Sequence, residues 1–128
     1  MIPVCEPLLA GNEQKYALDC LKTNWISSSG PYLTKFEEGF SRYCGVKHGI
    51  GVCNGTVALH LAYAALGVGP GDEVIMPTLT IASTVFAALY GGAKPVFVDV
   101  QPDTWNMDPS QLEAVSYTHL TLPTKRIV

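Results

Sequence analysis

Residues 49–67 read G-I-G-V-C-N-G-T-V-A-L-H-L-A-Y-A-A-L-G, and this stretch restricts the possible folds most. The apolar run 50–53 has the length of a buried strand. Asn54-Gly55-Thr56 forms a tight turn, and Val57, Leu59, Leu61, Ala62, Ala65 and Leu66 then recur at helical spacing. A strand that turns directly into a helix leaves the first helical N–H groups free and partly positive, which suits a phosphate. Gly55 lets a ligand come close to the backbone, and the Thr56 hydroxyl can add a hydrogen bond. The same residues equally suit an ordinary helix cap, with Asn54 or Thr56 accepting from a first-turn amide. The stretch alone leaves both readings open.

The pattern repeats downstream. Residues 73–77 read as a buried strand. A helix over 81–90 follows, with Thr80 as its cap, and 96–100 is a further strand with Asp99 near its C-terminal end. Asp108 and Pro109 open a last helix, as cap and first-turn proline. Apolar strands alternating with helices, without a two-residue hairpin, specify an α/β fold: a mostly parallel sheet with helices on both faces. Right-handed crossovers gather the C-terminal strand ends on one edge. Asn54-Gly55-Thr56, Thr78-Leu79-Thr80 and Asp99 are therefore expected to converge there, with Asp99 either facing a ligand or capping a turn. Gly67, Gly69 and Gly71 follow a helix instead of joining a strand to one, which argues against a dinucleotide fingerprint.

Upstream, two prolines keep residues 2–7 extended. Gly11-Asn12 precedes a helix that ends near Thr23-Asn24, with Asn12 as its N-cap. The loop W-I-S-S-S-G-P, with Trp25, Ser27 and Ser28, is either a connector or a lining for a polar ligand. A second helix begins at Pro31 and stops at Gly45, with Leu33, Phe36, Phe40 and Tyr43 as its apolar face and Lys35, Glu37, Glu38 and Arg42 as a solvated one.

Of the 128 residues 48% are hydrophobic and 15% charged, with a net charge of −3, so a packed core is available but no basic footprint for nucleic acid. No apolar run approaches the roughly 18 residues a membrane span needs, and no signal-peptide pattern stands at the N-terminus. Neither nucleic acid nor membrane is an expected partner. Cys5, Cys20, Cys44 and Cys53, like His48, His60 and His119, show no metal-ligand spacing. No metal site is expected, and the cysteines read as buried reduced thiols of a cytoplasmic protein.

W-I-S-S-S-G-P, F-E-E-G-F, N-G-T-V-A-L-H-L-A, G-P-G-D-E-V-I-M-P-T-L-T and G-A-K-P-V-F-V-D-V follow one another in an order that resembles the N-terminal part of the DegT/DnrJ-type sugar aminotransferases. The match spans residues 2 to about 114. The opening I-P-V-C-E-P-L-L-A-G-N-E-Q-K-Y-A-L-D-C-L is most similar to the GDP-perosamine synthase branch. The resemblance implies the N-terminal part of a fold-type-I, aspartate-aminotransferase-like domain that binds pyridoxal 5'-phosphate. It implies amino transfer from glutamate to a nucleotide-linked 4-keto-6-deoxy sugar, GDP-4-keto-6-deoxymannose giving GDP-perosamine, in O-antigen and lipopolysaccharide synthesis. Amination of a dTDP- or UDP-linked sugar would use the same N-terminal blocks.

By the same resemblance, Gly55 and Thr56 hold the cofactor phosphate. Ile81 stands where many members carry an aromatic residue stacked on the cofactor ring. Trp25, Ser27 and Ser28 match a loop near the substrate entrance, and the complete protein is expected to be a homodimer. The Schiff-base lysine and the acidic partner of the pyridine nitrogen lie downstream of the matched blocks in this family. None of the six lysines here stands at such a position, so an N-terminal fragment without catalytic residues of its own is expected, exposing sheet edges and apolar helix faces. A non-catalytic phosphate-binding module and a regulatory protein on the same scaffold are the alternatives.

From residue 115 the string V-S-Y-T-H-L-T-L-P-T-K-R-I-V breaks the helical pattern and resembles the in-frame translation of a transposase-type sequencing adapter. Residues 1–114 are thus read as the aminotransferase segment and 115–128 as a non-native tail. The competing reading is a genuine loop and strand, with T-K-R-I echoing a T-K-A-I stretch of the family.

Overall fold

The computed structural model describes residues 2–3 and 5–119. The chain divides into two compact units, residues 1–51 and 52–128.

The first unit carries helices α1 (Glu13–Thr23) and α2 (Pro31–Cys44). Their ends fall where the caps predict. Pro31 opens α2, and Asn24 and Gly45 close the two helices in the left-handed conformation, Gly45 donating to the carbonyls of Arg42 and Ser41. Asn12 stands at the N-cap of α1, but its side chain makes no cap bond; the Glu13 carboxylate accepts from the Gly11 N–H at 2.9 Å instead. The helices are tied by Tyr32, whose hydroxyl donates to Asp19 Oδ2 at 3.0 Å and whose ring lies 5.1 Å from that of Tyr16.

The predicted strand over 50–53 does not form. Instead the 49–51 backbone lies against α2. A Cβ on Gly49 would meet Ser41 Oγ at 2.5 Å, and one on Gly51 would meet Leu33 Cδ1 at the same distance. The Gly51 N–H donates to Glu37 Oε1 at 2.8 Å. Glycines permit the close approach, and a carboxylate takes the hydrogen bond that a neighbouring strand would otherwise accept. Glu37 is thus a structural tie and not only part of a solvated face.

The second unit holds α3 (Gly55–Leu66), β1 (Glu73–Pro77), α4 (Ala82–Tyr90), β2 (Lys94–Val98) and α5 (Pro109–His119). The two strands pair in parallel, Glu73 opposite Lys94 and Pro77 opposite Val98, as an α/β crossover requires. β2 begins two residues earlier than the sequence suggests, so Lys94 is a strand residue whose Nζ meets Glu73 Oε1 at 2.8 Å. Alternation places Val74, Met76, Val96 and Val98 on the buried face. With Val68, Ala88 and Ala93, and Tyr63 and Val85 packed alongside, Val74 and Met76 form the core.

Thr80 does not cap α4. The N-cap residue is Ile81, extended at φ −66° and ψ 136° without a side-chain bond, while Thr80 Oγ1 lies 3.1 Å from Thr84 Oγ1. Val100 leaves the strand to form an isolated antiparallel bridge with Met107. Trp105 takes a left-handed φ of 59°. Asp108 Oδ1 accepts from the Ser110 N–H at 3.0 Å and opens α5 as predicted. The α5 backbone runs on to His119 instead of breaking at 115, because β-branched residues cost a helix only tenths of a kcal/mol each. The rest of the proposed tail, residues 120–128, lies outside the described residues.

Candidate functional site

The turn into α3 is built by Asn54. Its side chain accepts from the Val57 N–H at 3.0 Å and its carbonyl from the Ala58 N–H at 3.1 Å. The amides of Gly55 and Thr56, ahead of these, have no acceptor among the described residues. They occupy the positive end of a twelve-residue helix whose first turn holds no acidic side chain. A Cβ on Gly55 would meet nothing within 4 Å, so the backbone there is open on that side. Of the two readings of the turn, the cap is formed, by Asn54.

The orientation of this helix follows from where it ends. Built Cβ atoms on Gly69 and Gly91 lie 3.6 Å from the Gly91 carbonyl and 3.5 Å from the Val68 carbonyl respectively. The segments that follow α3 and α4 thus meet, beside the N-terminal ends of β1 and β2, where the Lys94 N–H donates to the Asp72 carbonyl at 2.9 Å. With their C-termini together there, α3 and α4 aim their N-termini at the opposite edge, the carboxyl edge of the sheet. His60 of α3 and Tyr90 of α4 touch edge to face at 5.8 Å, which makes His60 a packing residue, as its place on a helix face suggests.

At the carboxyl edge the ends of the strands are joined. Thr78 Oγ1 donates to Asp99 Oδ1 at 3.2 Å, and the Val100 N–H donates to the same oxygen at 2.8 Å. Ile81, three residues beyond Thr78, is 76% exposed. The structure brings Gly55, Thr56 and Ile81 into one unit, on two helix N-termini that face the same way. Trp25, Ser27 and Ser28 belong to the first unit, in the exposed loop between α1 and α2, where the Trp25 ring would meet a Cβ on Gly30 at 3.4 Å.

Among the described residues no group of three His, Cys, Asp or Glu side chains is placed to hold a metal ion. All four cysteines are free, but Cys5, Cys44 and Cys53 are exposed and Cys20 half-buried, not buried as expected. The expectation assumed a core around them, and the helices that carry Cys20 and Cys44 have none. No helix among the described residues is long and apolar enough to cross a membrane.

The sequence profile of the DegT/DnrJ/EryC1/StrS aminotransferase family matches residues 7–127. The chain belongs to that family. Over 114 residues it is 53% identical to the GDP-perosamine synthase of Caulobacter vibrioides, covering 89% of this chain and 31% of that protein. Over 127 residues it is 37% identical to the UDP-4-amino-4-deoxy-L-arabinose–oxoglutarate aminotransferase of Shewanella sediminis, covering 99% of this chain and 31% of that protein. Among solved structures, Spr1654 of Streptococcus pneumoniae in its PLP form superposes with a TM-score of 0.78 at 36% identity, over 88% of this chain and 29% of that one. The same protein is also known in a PMP form. The chain thus spans just under a third of the length of the curated relatives it matches.

Proposed function

We propose that this chain is the N-terminal segment of a pyridoxal-phosphate-dependent nucleotide-sugar aminotransferase that moves the amino group of glutamate to a 4-keto-6-deoxy sugar. The sugar is GDP-4-keto-6-deoxymannose and the product GDP-perosamine, for O-antigen synthesis in the cytoplasm. Identity of 53% to a GDP-perosamine synthase supports the branch. The observation that carries the cofactor reading is the pair of amides at Gly55 and Thr56, at a helix start, with no acceptor among the described residues.

Bound pyridoxal phosphate supplies an aldehyde that takes up an amino group and a ring that withdraws electrons from the carbon bearing it. The Gly55 and Thr56 amides and the Thr56 hydroxyl hold the phosphate dianion in this reading. Ile81 would flank the ring and exclude water from it. Trp25, Ser27 and Ser28 contact the sugar nucleotide. The Schiff-base lysine is supplied by the rest of the protein: Lys94 is engaged with Glu73, and Lys35 lies over the Tyr32 ring at 5.2 Å. The complete protein is a homodimer.

Gly55→Val tests the site in the complete protein. The added side chain enters open space, so the thermal midpoint of the cofactor-free protein stays unchanged. The valine keeps its N–H, but its side chain holds the phosphate off the amides, and the dissociation constant for pyridoxal phosphate rises by about tenfold or more, the loss expected for hydrogen bonds to a charged group. Unchanged affinity removes Gly55 from the site. The lysine assignment is tested on the 128-residue chain by borohydride reduction with pyridoxal phosphate and mass analysis; a specific adduct on one lysine overturns it. Amination of a panel of GDP-, dTDP- and UDP-linked keto sugars decides the substrate. A UDP-linked sugar is the second reading, favoured by the match to the Shewanella sediminis enzyme.

Residues 115–128 are a non-native tail in this proposal, supported by their likeness to adapter sequence. The family match that runs on to residue 127 favours the competing reading, a genuine continuation. Coding DNA without an adapter match would establish the second.

A further inference from the structure

We propose that Asp99 is a positioning residue that holds the 78–81 loop, and with it Ile81, in place at the carboxyl edge of the sheet. The inference rests on the reading of Ile81 as the residue flanking the cofactor ring. Asp99 joins several segments at this edge. Its Oδ1 accepts from the Thr78 hydroxyl at 3.2 Å and the Val100 N–H at 2.8 Å. Its carbonyl accepts from the Asp108 N–H at 2.9 Å, and its own N–H donates to Gln111 Oε1 at 3.4 Å.

Thr78 is held a second time, by its N–H on the Val98 carbonyl at 2.8 Å. Backbone and side chain of the first loop residue are therefore both fastened to the end of β2. From Thr78 the chain has only Leu79 and Thr80 before Ile81, whose carbonyl accepts from the Thr84 N–H at 3.0 Å and starts α4. Ile81 makes no side-chain cap bond. The direction in which it leaves the sheet is set by the anchored residue upstream and the helix downstream. A carboxylate at the C-terminal end of a parallel strand would otherwise be read as a group facing a ligand. Here one of its oxygens already holds two donors of the protein.

The two roles separate by substitution. Asp99→Asn keeps an oxygen that can accept from Thr78 and Val100 but removes the charge, whereas Asp99→Ala removes both. In the 128-residue chain, hydrogen exchange at the Thr78 and Thr84 amides is expected to speed up about fivefold in Asp99→Ala, the effect of one lost hydrogen bond, and to stay within twofold of the parent in Asp99→Asn. Thr78→Val, which removes only the hydroxyl, reproduces the acceleration at Thr84 and serves where Asp99→Ala fails to fold. Unchanged exchange at Thr84 in both Asp99→Ala and Thr78→Val overturns the proposal, as does failure of Asp99→Asn to restore protection. In the complete enzyme, the dissociation constant for pyridoxal phosphate follows the same order across the three variants. Altered exchange with unaltered cofactor affinity leaves Asp99 as the loop anchor and overturns the placement of Ile81 on the ring.

Discussion

The two units of the chain put their apolar residues to different ends. Residues 52–128 contain every buried hydrophobic side chain described, from Val68 to Val98. In residues 1–51 the only buried side chain described is Ser41, whose hydroxyl donates to the Glu37 carbonyl. The stripe Phe36, Phe40 and Tyr43 on α2 forms as the periodicity predicts, and its rings pack on one another at 5.7 and 6.3 Å. It remains open, with Phe40 57% exposed. A parallel strand pair with a crossover helix closes a core within about thirty residues, because the crossover lays the helix on the sheet it connects. Two helices tied by one tyrosine have no third layer to cover their apolar face.

Four substitutions test this contrast. Met76 is 2% exposed in the centre of the core, so Met76→Ala costs about 2–5 kcal/mol and unfolds the second unit well before the wild type in a urea titration. An equal effect at an exposed ring of α2 would erase the distinction between the units. Asn54→Ala removes the bond to the Val57 N–H and costs about 1 kcal/mol of α3 stability, read by amide exchange in its first turn. Phe40→Ala costs under about 1 kcal/mol, since the ring is largely in water already, and it lowers self-association in sedimentation experiments because the exposed stripe shrinks.

The smallest effect concerns Tyr32. The hydrogen bond to Asp19 raises the pKa of its phenol, and burial and the Asp19 charge push the same way. A raised folded-state value means that the bond contributes below about pH 10 and is lost as the pH climbs past that point. Asp19→Asn is expected to bring the Tyr32 ultraviolet titration back toward an ordinary tyrosine.

Much of the local structure is legible in the sequence. Pro31 and Gly45 bracket α2, Asp108 and Pro109 open α5, and residues 73–77 form β1 with the bounds that the apolar run suggests. These signals act within a turn or a few residues of themselves, through fixed φ, a missing N–H or a short side-chain bond. The phosphate-seat reading of Gly55 and Thr56 is legible for the same reason, since it depends on the first turn of one helix. The 50–53 segment misled because its short apolar run has the length of a buried strand, while Gly49 and Gly51 pack closely against α2. Ile81 as the N-cap was missed because a threonine beside it is the better cap by side-chain chemistry, yet Thr80 spends its hydroxyl on Thr84. The pairing of Thr78 with Asp99 spans twenty-one residues, and only the strand register reveals it.

By itself the sequence determined the ends of α2, the start of α5, the α/β alternation and the family. Tertiary structure alone decided which apolar faces are buried, that residues 49–51 lie on a helix and not in the sheet, and which loops Asp99 ties together. The division follows from range: caps, prolines and glycines act on their own neighbours, whereas burial and strand pairing need a partner that the chain must first bring back to them.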